Sequence, residues 1–192
     1  MDILKKSFRL PLLVIGLLTL SVVLFYSTGI LNKKLILREK TTNETSFGLP
    51  VALIIPSINV NSKIQYLGIT SKGEMEVPNN INDVGWFKFG SRPGEKGSAV
   101  IAGHLNGTNG KDGVFINLYK LKAGDKLSVV DDKGIITSFT VREIRTYSPG
   151  FAEEVFSSND APHLNLITCD GLWDGAKKSY DKRLVIFSDI LK

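Results

Sequence analysis

Cysteine is almost absent from this chain of 192 residues, and the one that occurs is Cys169. A lone thiol excludes an internal disulfide framework and any multi-cysteine metal centre, so Cys169 serves either packing or chemistry. Histidine is nearly as scarce, with only His104 and His163. Repeated Cys/His zinc arrays are therefore excluded, the acidic residues follow no calcium-loop pattern, and neither a metal nor a cofactor is assigned. Basic blocks are missing too. The formal charge is +5, but residues 1–44 hold seven Lys/Arg against three Asp/Glu, which leaves residues 45–192 close to neutral. That part has no interleaved basic and aromatic stripe to track a phosphate backbone, so no nucleic-acid partner is expected. Internal repeats are absent as well.

What is present begins with an apolar run. Lys5, Lys6 and Arg9 precede residues 10–31, whose interior carries no charge, and Lys33 and Lys34 close it. At about 1.5 Å per residue such a helix is about 33 Å long, enough to cross a bilayer core. Residues 1–9 are read as a cytoplasmic tail, 10–31 as a transmembrane anchor held in membrane lipid, 32–50 as a polar tether and 51–192 as one globular domain. A cleaved signal peptide, suggested by Ser27, Thr28 and Gly29, and a buried soluble helix are the other readings of the run. It is long for the apolar core of a signal peptide. The two flanks carry equal positive charge, so charge bias hardly discriminates orientation.

From Val51 onward the pattern is mostly that of strands. Val51–Ile55 is an apolar run stopped by Pro56, and Ile58–Tyr66 alternates loosely between apolar and polar residues. Short strands are expected at 74–77 and 99–102. Residues 125–130 and 135–144 flank Asp131-Asp132-Lys133-Gly134, a strong hairpin signal. Residues 164–168 and 183–188 complete the set, and helical turns are expected only at 114–121 and 151–156. The fold class is all-β. A closed or nearly closed antiparallel barrel suits many short strands because closure removes exposed edges, although a sandwich gives a similar pattern.

Chemistry concentrates at strand ends. In Leu164–Cys169, Leu164, Leu166 and Thr168 face one side, and Asn165, Ile167 and Cys169 the other. Buried free cysteine is common in cores, so an inert role competes with a reactive one. His104 follows the apolar stretch 99–102 and opens a loop rich in Gly and Asn, where an imidazole has no evident packing use. Its ordinary pKa near neutrality suits it to give and take a proton beside a thiol. His163 lies six residues before Cys169, roughly 20 Å along a straight strand, and is read as structural or surface. Arg183 opens the apolar strand 184–187. An arginine there is either solvated or a fixed set of donors for a peptide carbonyl and the oxygen charge that grows on it.

The ordered set AGH at 102–104, VFINLYKLKAGD at 114–125, LITCD at 166–170 and RLVIF at 183–187, behind an apolar N-terminal run, resembles the sortases, membrane-anchored cysteine transpeptidases of Gram-positive bacteria. The resemblance implies an eight-stranded sortase-type β-barrel with short helices, preceded by the transmembrane helix and standing outside a single-pass membrane anchor. It places the family's catalytic residues on His104, Cys169 and Arg183. The implied substrates are surface proteins or pilins bearing a C-terminal signal like Leu-Pro-any-Thr-Gly, cut between Thr and Gly through a thioacyl intermediate. The implied acceptor is an amine of a cell-wall precursor or of another pilin. A cysteine hydrolase using water, or a non-catalytic extracellular β module in which Cys169 and His104 merely pack, are the alternatives the residues leave open.

Overall fold

The computed structural model describes residues 47–107, 110–150 and 153–191. The anchor and most of the tether expected before residue 47 lie outside the described residues. Among the described residues, no helix is long and apolar enough to cross a membrane.

Eight strands are present: β1 (Pro50–Ile55), β2 (Val60–Leu67), β3 (Val84–Phe87), β4 (Gly97–Gly103), β5 (Lys126–Asp131), β6 (Ile136–Tyr147), β7 (Pro162–Asp174) and β8 (Ser179–Ile190). Short 3-10 turns occur at Pro56–Ile58 and Leu118–Lys120, and one helical turn, α1, at Glu153–Phe156. The strands close into a barrel in the order β1-β2-β3-β4-β7-β8-β6-β5. This is the eight-stranded barrel expected from the sequence, with one correction. It is mixed rather than antiparallel, because β2 pairs with β3 and β4 pairs with β7 in parallel. A parallel pair needs a crossover rather than a tight turn, and both pairs are joined by long excursions of the chain, residues 68–83 and 104–161.

Side-chain alternation explains the layers. On β4, β7 and β8, Ala99, Ile101, Leu164, Leu166, Leu184 and Ile186 point into the barrel and join the main core with Leu53, Phe115 and Phe139. Each buried Leu, Ile or Phe among them contributes about 2 kcal/mol of transfer free energy. The opposite faces of the same strands carry Val100, Val185 and Phe187, which pack under Val155 of α1. These three strands are therefore covered on both sides at mid-length.

The β5–β6 hairpin forms where its turn residues stand. Asp131 Oδ1 accepts from the backbone N–H of Lys133 (2.9 Å) and Ile135 (2.8 Å), and its Oδ2 accepts from that of Gly48 (2.8 Å). One other expectation differs, and one strand, β3, was not expected at all. Residues 74–77 form no strand and contribute only the single bridge Ile69 to Met75. β3, Val-Gly-Trp-Phe, has three buried residues in a row and so offers no alternation to detect.

Candidate active site

β4, β7 and β8 are neighbours in that order, and their outer faces are in register. Cys169 pairs directly with Arg183 across β7 and β8. In the parallel β4–β7 pair the register runs to Ala102 opposite Ile167. Continued by two residues, it brings His104, one residue past the end of β4, level with Cys169. The hydroxyl of Thr168 donates to the Gly103 carbonyl (2.9 Å) and ties the two strand exits together. His104, Cys169 and Arg183 thus fall in a row across three adjacent strands, and all three are half-buried.

Two local devices shape the row. Gly171 has φ +81°, in the left-handed region, and a register irregularity follows Asp170, so β7 bulges immediately after the cysteine. A Cβ on Gly171 would lie 2.1 Å from Asp181 Oδ1, the atom that accepts from the Leu172 N–H (2.7 Å). On the other side, the chain returns close to His104. Phe115 N–H donates to the His104 carbonyl (2.9 Å), and a Cβ on Gly113 would stand 2.3 Å from that oxygen.

Each side chain has its own electrostatic setting. Cys169 is a free thiol. Burial pushes its pKa up, and the Arg183 cation works in the opposite direction without cancelling the rise. His104 Nε2 lies 2.7 Å from the Pro78 carbonyl. A carbonyl only accepts, so Nε2 carries the proton and Nδ1 is the acceptor of the neutral ring. The imidazole is hydrogen-bonded to Pro78 rather than to the thiol. Arg183 Nη1 donates to the carbonyls of Tyr180 (2.9 Å) and Lys182 (2.8 Å), and Nη2 to Ser179 Oγ (3.2 Å). The guanidinium is thereby steadied by its own hairpin.

Two residues that sequence reasoning did not single out join the loops around the row. Asn106 Nδ2 donates to the Tyr180 hydroxyl (2.6 Å), and the Tyr180 ring packs edge-on against Trp173 with centroids 5.3 Å apart. Tyr180 therefore links the loop after His104 to the hairpin that holds Arg183. Only its place three residues before Arg183 hinted at this in the sequence.

His163 stands elsewhere. It is buried near the start of β7, with Nδ1 2.8 Å from Asp189 Oδ1 and Nε2 2.9 Å from Asp160 Oδ1. Both ring nitrogens are occupied in tying the segment before β7 to the end of β8. Among the described residues, no group of three or more His, Cys, Asp or Glu side chains is arranged to hold a metal ion.

A family model described as the Sortase domain matches residues 53–190. The chain belongs to the sortase family. Membership implies, in general terms, cysteine-transpeptidase chemistry on sorting signals. Solved structures agree on the fold. The sortase C from Clostridium perfringens SM101 is 23% identical, with 76% of this chain and 72% of that one covered and a TM-score of 0.56. Sortase C1 of Streptococcus agalactiae, in its complex with MTSET, is 24% identical, with 74% and 67% covered and a TM-score of 0.58. Sortase A from Corynebacterium diphtheriae is 20% identical, with 77% and 62% covered and a TM-score of 0.57. No curated protein matches the chain.

Proposed function

We propose that this sortase cleaves a Leu-Pro-any-Thr-Gly-like signal through a thioacyl enzyme on Cys169 and passes the acyl group to an amine. The observation that carries the reading is the register of Cys169 opposite Arg183, level with the strand exit that presents His104. The Cys169 thiolate attacks the Thr carbonyl, the C–S bond forms, and the C–N bond to Gly breaks as imidazolium His104 protonates the departing amine. An incoming amine then attacks the thioester, the C–S bond breaks, and neutral His104 accepts the proton. Arg183 stabilises the oxyanion. Three of its bonds are made within the hairpin, and a guanidinium has about five N–H donors, so donors remain for a substrate oxygen.

In this proposal the domain from residue 51 acts outside the membrane, held by residues 10–31. Its partners are surface proteins or pilins with such a signal, and the acceptor is a cell-wall or pilin amine. The test is a set of soluble signal peptides incubated with and without an added amine and followed by mass spectrometry. The expected result is an amide-exchange product with wild type and no acylation with Cys169→Ala. Hydrolysis alone, undiverted by any amine, would make the protein a hydrolase, and no acylation of Cys169 by any peptide would end the proposal.

A further inference from the structure

The carbonyl that holds the His104 ring is itself held. Pro78 is buried, and its carbonyl accepts from His104 Nε2 (2.7 Å). The Asn79 N–H, the other half of the same peptide unit, donates to Gln65 Oε1 (3.2 Å). That peptide is trans and planar, so its C=O and N–H point in opposite directions, and Gln65 and His104 grip the two sides of one rigid plate. Gln65, half-buried on β2, is fixed in turn, because its Nε2 donates to Asn79 Oδ1 (2.8 Å) and to Asp83 Oδ2 (2.9 Å). Both amide hydrogens have acceptors, which sets the way the amide faces.

The rest of the segment is anchored as well. Ser62 Oγ donates to the Asn82 carbonyl (2.8 Å), and the Val114 N–H donates to the Ile81 carbonyl (2.8 Å). The next N–H, that of Phe115, holds the His104 carbonyl. One turn of chain therefore fixes both partners of the ring bond relative to each other. Val84 pairs with Gly103, so the segment entering β3 arrives beside His104 on the side of β4 away from β7.

We infer that Gln65 is a positioning residue for His104, acting through the Pro78–Asn79 peptide to keep Nε2 occupied and to make Nδ1 the nitrogen that moves the proton. The inference rests on the transpeptidase reading above. The two ring nitrogens point in nearly opposite directions, so an imidazole whose Nε2 faces the β3 side turns Nδ1 toward β7, the strand of Cys169. In acylation, Nδ1–H gives its proton to the amine nitrogen as the C–N bond breaks, and in transfer the Nδ1 lone pair takes a proton from the incoming amine. Nε2–H stays on Pro78 through both steps. The carbonyl thus fixes the tautomer of the neutral ring and also stabilises its cation.

The experiment measures kcat/KM for release of the leaving group from two soluble sorting peptides, one with the scissile amide and one with a thioester in its place. An amine leaves only when protonated, whereas a thiol ionises at about 8.5 and can leave as thiolate near neutral pH. Gln65→Met keeps the length of the side chain and removes its hydrogen bonds. It should lower the ratio of amide to thioester cleavage about tenfold, the value of one charge-assisted hydrogen bond put out of place. Asn79→Ala takes away one of the two acceptors of the Gln65 amide and should lower the ratio less. Asn79 is exposed, so the fold tolerates its replacement, and thermal melts check both variants. A second readout needs no turnover. The Nε2–H proton of His104, told from that of His163 by comparison with His163→Gln, should exchange slowly with solvent in NMR spectra of the wild type and faster in Gln65→Met. A parallel fall on both substrates, as expected if Gln65 only supports the fold, overturns the inference, and so does unchanged exchange of the ring proton. Faster amide cleavage in Gln65→Met overturns it too, by showing that the Pro78 bond restrains the ring instead of aiming it. If the wild type releases neither leaving group, the transpeptidase reading falls and this inference with it.

Discussion

Cys169 is held in a setting that favours the neutral thiol, since burial raises its pKa more than Arg183 lowers it. Removing the cation in Arg183→Ala should move the thiol pKa further up, and the pH profile of alkylation by iodoacetamide reads this directly. An unshifted profile would remove Arg183 from the thiol's electrostatics. Arg183→Lys separates charge from geometry. It keeps a cation beside Cys169 but loses the planar fork, so turnover should fall about a hundredfold, the cost of one oxyanion donor. Near wild-type turnover in that variant would reduce the arginine to diffuse charge. The two histidines should separate just as clearly. His104→Ala should abolish turnover with little change in Tm. His163→Gln should lower Tm, because Asp160 and Asp189 lose their shared partner, and should cost far less turnover per folded molecule. Equal losses of turnover from both would defeat the assignment.

At the scale of elements, the loop that returns past His104 is as constrained as the strands. Ala at position 113 would put a methyl carbon 2.3 Å from the His104 carbonyl oxygen, so the loop has to move and carry the imidazole with it. Gly113→Ala should therefore lose kcat out of proportion to any loss of Tm, and a variant that retains full kcat would show that the loop adjusts without disturbing His104. The β5–β6 turn sets a limit in acid. Burial of Asp131 opposes its ionisation, but backbone N–H donors from Ile135, Gly48 and Lys133 outweigh this and hold its carboxyl below the usual range. A depressed folded pKa stabilises above the unfolded value and is lost on protonation. Thermal stability should fall as pH drops below about 4, and Asp131→Asn should flatten that part of the profile. Such turns were legible in the sequence, because Asp131-Asp132-Lys133-Gly134 carries its own chemistry. The strands of the candidate row were legible too, through the alternation of 164–169 and the apolar run after Arg183. β3 was not, since a strand covered on both faces shows no period. Neither was the Asn106 to Tyr180 bond, which joins residues far apart in sequence that no local pattern relates.

For the molecule as a whole, the compact unit begins at Phe47, ahead of the first strand. The Phe47 carbonyl accepts from Arg92 Nη1 (2.8 Å), and the Gly48 and Leu49 N–H groups donate to Asp131 and Asp132. A chain starting near residue 45 keeps all of these and the candidate row. It should be soluble and should cleave a short soluble peptide like the full-length protein, while transfer to a membrane-held acceptor slows for want of a shared surface. Loss of soluble-peptide cleavage in a folded truncation would show that earlier residues belong to the catalytic structure. The parallel pairing of β4 with β7 has a further consequence, in the time domain. His104 and Cys169 sit at the exits of strands that meet only after the chain between residues 104 and 161 has been enclosed, a contact of long sequence separation. Non-local pairing of this kind is slow to form, on the scale of milliseconds to seconds in β-rich domains. Partly folded chains should therefore keep an ordinary, accessible thiol, and pulse alkylation during refolding should show Cys169 acquiring its native reactivity only as the barrel closes.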